Sequence, residues 1–211
     1  MGIKISYGVT VCNEFVEIQK LLPYLLTNKR PQDEIVILYD SKNGDEAVDE
    51  YLKSQSIANP TDFLWVSREF NNNFGDWKNQ LNNLCTGDYI FQIDADEIPN
   101  VFLMNHLHEV IELNPEIDIL LVPRENYVDG LTPEHIQKWG WKVDDNKRVN
   151  WPDLQWRVYK NEPEIKWVNK VHERLEGFKV YTHLPLMSEW SLNHTKDIKR
   201  QEKQNNFYDN L

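Results

Sequence analysis

The sequence predicts an α/β fold in which a mostly parallel sheet is sandwiched by helices. Three observations carry this. Strand-length apolar runs alternate with apolar stripes at helical spacing through the first half of the chain. The second of these runs, Ile35 to Tyr39, is apolar throughout, as expected of a strand covered on both faces. The composition is that of an ordinary globular chain: 211 residues, 40% hydrophobic and 27% charged, enough for one sizeable core.

The elements follow in order. Ile3 to Cys12 alternates as a strand, and Phe15, Ile18, Leu21, Leu22, Leu25 and Leu26 lie at helical spacing behind Asn13, a candidate N-cap. The strand Ile35 to Tyr39 breaks at Asp40-Ser41-Lys42-Asn43-Gly44, and Ala47, Val48, Tyr51 and Leu52 form the next helical stripe. Phe63 to Val66 is a third strand, Asn71-Asn72-Asn73 a loop, and Trp77, Leu81, Leu84 and Cys85 a third helix. Tyr89 to Ile93 is a fourth strand. After residue 98 the pattern changes. A helix from Val101 to Leu113, entered through Pro99, and a strand from Ile117 to Val122 give way to an irregular, Trp-rich stretch. Arg124 to Asn150 reads as a long loop, Leu154 to Tyr159 as a strand, and Lys196 to Asn210 as a polar helix. No linker separates the halves, so residues 1–211 read as one domain, with residues 1–123 at its front and a smaller back region over residues 124–211.

Charge excludes some partners. With 23 Lys+Arg against 34 Asp+Glu the formal charge is -11, which repels phosphate backbones and anionic lipid surfaces, so no nucleic-acid partner is expected. No apolar run approaches the ~20 residues of a membrane helix, and no transmembrane segment is expected. The two cysteines, Cys12 and Cys85, sit in apolar segments without metal-ligand spacing and read as reduced core thiols of a cytoplasmic protein.

In open α/β sheets, ligands bind beyond the carboxyl ends of the strands. Here those ends are acidic: Asn13-Glu14 after the first strand, Asp40 after the second, and Asp94-Ala95-Asp96-Glu97 after the fourth. Neither a dinucleotide fingerprint nor a P-loop is present to cradle phosphate with backbone amides. Carboxylates at that edge suit phosphate held through Mg²⁺ or Mn²⁺, which take one or two protein carboxylates plus phosphate oxygens and water.

These residues resemble family-two glycosyltransferases of the GT-A (Rossmann-like) fold. The resemblance lies in "VTVCNE", "VILYDSKNGDEA" and "NFGDWKNQLNNLCTGDYIFQIDADEIP", and covers about residues 3 to 123. "WPDLQWRVYKNEPEIKWVNKVHERL" (151–175) is similar, more loosely, to an Arg-then-VHE region of a subgroup that includes viral and phage-like members. The resemblance implies a nucleotide-sugar-binding front region, with Thr10, Asn13 and Glu14 lining the nucleotide pocket and Asp40 accepting a hydrogen bond from the base. It implies Lys78 near the diphosphate, Asp94 on the ribose and donor-sugar side, and Asp96 on the metal, with Asp94 also a candidate ligand. It implies an inverting, metal-dependent hexosyltransferase-like enzyme using a UDP- or GDP-sugar and a glycan or glycoconjugate acceptor. The turn "DSKNGD" departs from the commoner acidic, Gly-Ser-rich turn, which leaves the nucleobase open.

The family's Glu-Asp pair is absent at its ordinary spacing, so the acceptor-side base is sought elsewhere. Glu173, in Val171-His172-Glu173, is the first candidate and Asp153 the second. His194 resembles the late histidine that completes many GT-A metal sites, with His172 as rival. Six of the eight tryptophans follow residue 138; Trp139 and Trp141 in the 124–150 loop are candidates for an acceptor-covering lid. The competing classes are a nucleotidyltransferase, disfavoured because Cys12-Asn13-Glu14-Phe15 is neither Gly-rich nor basic, and a non-catalytic sugar-binding domain derived from a transferase.

Overall fold

The computed structural model describes residues 2–202. The front region is β1 (Ile5–Val11), α1 (Phe15–Asn28), β2 (Glu34–Asp40), α2 (Glu46–Ala58), β3 (Leu64–Arg68), α3 (Phe74–Asn82) and β4 (Tyr89–Asp94). Its four strands are parallel in the order β3-β2-β1-β4, so their carboxyl ends share one edge. Then come β5 (Glu97–Pro99), α4 (Val101–Leu113), β6 (Ile119–Asp129), α5 (Pro133–Trp139), β7 (Val149–Lys160), β8 (Lys166–Val168), β9 (Arg174–Glu176), β10 (Tyr181–His183) and β11 (Leu192–Asp197). The sheet continues β4-β7-β6-β11-β5, with β7 antiparallel to both its neighbours and β11 parallel to β6. β10 pairs with the start of β6, and β8 with β9 forms a separate ribbon.

The apolar run of β2 is explained by its two covered faces. Ile35, Ile37 and Tyr39 pack with Leu21, Leu25, Val48, Leu52 and Leu107 from α1, α2 and α4. Val36 and Leu38 face the opposite layer, with Trp77 and Leu81 of α3 and Trp167 of β8. β1 splits in the same way: Ile5, Tyr7, Val9 and Val11 join the first layer. On its other face Gly8 admits Leu81 so closely that a Cβ there would lie 3.1 Å from Leu81 Cδ2.

Three expectations need correction. Residues 124–150 are not a loop: β6 continues to Asp129 and Thr132 caps α5, its hydroxyl accepting from His135 N. The polar run Arg124-Glu125-Asn126 concealed this strand, because its side chains serve ion pairs and a side-chain hydrogen bond rather than a core. Asn13 does not cap α1; Glu14 holds that position, and its carboxylate reaches back to the amides of Cys12 and Asn13. Lys196 and Asp197 belong to β11; residues 198–202 are helical, and the rest of the expected tail helix lies outside the described residues. Both cysteines are free, and burial pushes each thiol up to about 12. Among the described residues no helix is long and apolar enough to cross a membrane.

Candidate active site

The acidic strand ends meet at one edge of the sheet. Parallel pairing of β1 with β4 sets Thr10 beside Asp94, and pairing of β1 with β2 sets Val11 beside Tyr39, one residue before Asp40. Asp40 is 4% exposed, and its Oδ1 accepts from the amides of Lys42 (2.9 Å), Asn43 (3.3 Å) and Phe70 (3.1 Å). Its Oδ2 accepts from the Asn43 side chain (2.8 Å) and lies 3.7 Å from Cys12 Sγ. A carboxylate so occupied holds the turn and the start of the next loop together. Glu14 is half-buried; burial pushes its carboxyl up, against the pull of backbone amides and of Arg200. Asn13 is exposed beside it.

The turn after β4 is built differently. Asp94 Oδ1 accepts from Gln92 Nε2 at 3.0 Å, and Oδ2 is paired with the Arg157 guanidinium. Burial works against ionisation of Asp94, but the charges of Arg157 and Lys78 outweigh it and hold the carboxyl far below the usual range. Asp96 Oδ2 lies 3.3 Å from His194 Nε2, 3.5 Å from Arg200 Nη2 and 3.9 Å from Lys196 Nζ. Burial raises the Asp96 carboxyl, while His194 and Lys196 bring it down to about 2.

The ring nitrogens of His194 have distinct partners. Asn126 donates its amide N–H to Asp153 Oδ2 at 2.8 Å, which turns its oxygen toward His194 Nδ1, 2.6 Å away. Nδ1–H therefore donates, and Nε2 faces Asp96 as it would in a metal-bound histidine. Among the described residues no group of three or more His, Cys, Asp and Glu side chains is placed to hold a metal. Asp96 and His194 fit a cation that takes its remaining ligands from phosphate and water.

Behind this turn runs a chain of buried charge. Arg157, 3% exposed, donates from Nη2 to Glu97 Oε1 at 2.6 Å and from Nη1 to Gln92 Oε1 at 2.7 Å. Arg124 donates to the same Glu97 oxygen at 2.9 Å and, from Nε, to Asp153 Oδ2 at 2.8 Å. Burial raises the Asp153 carboxyl, but Arg124 and Asn126 hold it below its ordinary value.

Glu173 and Lys78 form a separate pair. Lys78 Nζ donates to Glu173 Oε1 at 2.6 Å and lies 4.3 Å from the centre of the Trp167 ring. The loop carrying Glu173 is fastened to the start of α3, where the amides of Phe74 and Gly75 donate to the carbonyls of Lys170 and Asn169. Any Cβ at Gly75 would fall 2.7 Å from Asn169 O, so this approach requires glycine. His172 is exposed, with a left-handed backbone (φ 54°).

A cleft of about 250 Å³ opens beside the β4 turn. Its lining includes Arg124, Asn126, Trp141, Asp153, His194 and Lys196, but not Glu173. Trp141 thus reaches the cleft, and Trp139 packs on it at 4.6 Å and on His135 at 5.1 Å.

Of the residues singled out from the sequence, the structure brings Thr10, Asp94, Asp96 and His194 to one edge of the sheet. Sequence reasoning missed Gln92, Glu97, Arg124, Asn126 and Lys196, and gave Arg157 no role. Gln92 in Tyr89-Ile90-Phe91-Gln92-Ile93 and Arg157 in Leu154 to Tyr159 carried a signal: a polar residue inside a buried strand must find a partner.

Similarity to known proteins agrees with this geometry. The family model described as "Glycosyl transferase family 2" matches residues 6–188, and the chain belongs to that family. No curated protein sequence gives a match. S. aureus TarS (residues 1–349), solved in complex with UDP-GlcNAc, is similar in fold, with a TM-score of 0.62 at 18% identity over 93% of this chain. The chain spans 59% of that protein's solved length. The mannosyltransferase PcManGT from Pyrobaculum calidifontis, in complex with GDP-Man and Mn²⁺, gives a TM-score of 0.51 at 13% identity, covering 76% of this chain and 45% of that one. The mostly parallel sheet flanked by helices is thus a GT-A, Rossmann-like fold.

Proposed function

We propose that this chain transfers a sugar from a nucleoside-diphosphate sugar to an acceptor hydroxyl, with inversion at the anomeric carbon. One observation carries the reading: Asp96 and His194 meet at the ligand-binding edge of the sheet, and Asp153 lines the cleft beside them. Residues 1–123 form the nucleotide-sugar side and residues 124–211 the acceptor side. The Arg157 and Val171-His172-Glu173 features support placement in the subgroup that includes viral and phage-like members. The free cysteines suit a cytoplasmic setting.

In this reading Thr10, Asn13 and Glu14 line the nucleotide pocket, and Asp40 shapes its wall by holding the 40–43 turn against Phe70. Asp94, engaged by Arg157, faces the ribose and donor sugar. Asp96 and His194 would hold Mn²⁺ or Mg²⁺, which supplies positive charge to the departing diphosphate. Lys196 and Arg200 add further positive charge at the same place, and Lys78, held by Glu173, adds it from α3.

Asp153 takes the proton from the acceptor hydroxyl as that oxygen attacks the anomeric carbon opposite the leaving diphosphate; attack from that side inverts the centre. Its place in the cleft lining, which Glu173 does not share, supports it over Glu173; Arg124, Asn126 and Gln155 hold the Asp153 carboxylate in position there. Trp141 offers a flat apolar wall to a glycan or glycoconjugate acceptor.

The test is a thermal-shift panel of UDP- and GDP-sugars with Mn²⁺. A true donor at 100 times its Kd adds about 2.7 kcal/mol of stability. A panel in which no nucleotide sugar stabilises the protein would contradict the reading.

A further inference from the structure

We propose that Glu97 is the positioning residue that fixes the donor-side carboxylate Asp94 and the acceptor-side carboxylate Asp153 relative to each other. The inference rests on the transferase reading for the roles of those two carboxylates. Five alternating charges run from one to the other: Asp94, Arg157, Glu97, Arg124, Asp153. Glu97 is the middle member. Its Oε1 accepts from both guanidiniums, at 2.6 Å from Arg157 and 2.9 Å from Arg124, and its Oε2 accepts the Asp94 amide at 3.1 Å. Its backbone lies opposite His194 in the β5–β11 pairing.

Exposure separates the ends of the chain from its centre. The Glu97 and Arg157 side chains are 0% and 4% exposed, whereas those of Asp94 and Asp153 are 36% and 26% exposed. A buried Arg157–Glu97 pair, joined by Arg124 at 19% exposure, thus carries two carboxylates that are partly open. Buried ion pairs are a poor means of stabilising a fold, since apolar packing of the same volume does as well or better. They do hold direction: a guanidinium between two carboxylates fixes both in angle and distance. A spacer of this kind matters to catalysis, because a displacement of about 1 Å at reacting groups costs on the order of a hundredfold in rate.

The experiment compares the full chain with Glu97→Gln, Arg124→Lys and the double variant. It measures nucleotide release from UDP-GlcNAc and GDP-mannose with Mn²⁺, the Kd of UDP and GDP, and the crystal structures. Each single substitution should lower kcat about tenfold or more, with the nucleotide Kd changed less than about threefold. Because both act on one chain, the double variant should fall within about threefold of the worse single variant. Should Glu97→Gln fail to fold, Glu97→Asp keeps the charge but is too short to meet both guanidiniums, and the same kcat loss is expected. Either Glu97 variant folding with wild-type kcat, or single losses that multiply, would overturn the proposal. A wild-type protein that turns over neither donor counts against the transferase reading alone; Glu97 is then judged by the crystal structures, where unmoved Asp94 and Asp153 side chains would overturn it.

Discussion

The acidic turns after β2 and after β4 leave the same edge of the sheet on either side of β1, yet their carboxylates are satisfied in different ways. Asp40 is held by three backbone amides and one side-chain amide, two of the backbone donors within three residues of it. Apart from Gln92, two residues before Asp94, Asp94 and Asp96 are met by side chains from far along the chain: Arg157, His194, Lys196 and Arg200. Backbone amides are fixed parts of the fold. Around Asp96 the partners are an imidazole and two long cationic side chains, His194, Lys196 and Arg200, which can exchange a carboxylate for an anion or a metal at little conformational cost, whereas the sealed Arg157 keeps Asp94 in place. An acidic residue at a strand end is therefore informative only together with what neutralises it.

The comparison can be broken by substitution. The largest effect is expected at Asp153→Asn, where loss of a proton acceptor should lower kcat by about 10²- to 10⁴-fold and leave donor affinity nearly unchanged. Glu173→Gln should act more weakly, through Lys78. Steady-state kinetics of the two variants decide between them: a silent Asp153→Asn with an inactive Glu173→Gln would move the base to the Lys78 pair.

Asp40→Asn should behave as a structural lesion. It places an amide N–H₂ against donors already aimed at a carboxylate, and should cost about 1–3 kcal/mol of stability by urea unfolding. The cation dependence of nucleotide binding should not change. If Asp40→Asn instead leaves stability intact and weakens the nucleotide, Asp40 contacts the base itself and does not only hold the pocket wall.

A smaller, several-fold effect is expected from Trp139→Ala and Trp141→Ala: more donor hydrolysis relative to transfer, with the nucleotide Kd unaltered. Calorimetry and product analysis check this. Unfolding of both variants would make the indoles core residues.

The same contrast explains how much was legible in the sequence. The front strands and helices were readable because their apolar periods are local, and Asp94 and Asp96 because they end an apolar strand. β6 beyond Val122 was not, since Arg124, Glu125 and Asn126 look like loop residues until their partners are known. Those partners are Glu97, Asp153, Arg148, Ser188 and His194, all of them more than twenty residues away. The surroundings of Glu173 and Asp153 were hidden for the same reason: nothing local says that Lys78, 95 residues earlier, holds Glu173.

We propose that the β4 turn binds a nucleoside diphosphate through a cation held by Asp96 and His194. Calorimetric titration of UDP and GDP into the wild-type and Asp96→Ala proteins, each with Mn²⁺ and with EDTA, tests it most directly. At least one nucleotide should bind the wild type with Mn²⁺, and that binding should be lost both in EDTA and in Asp96→Ala. Equally tight binding in EDTA, retained in Asp96→Ala, would contradict it.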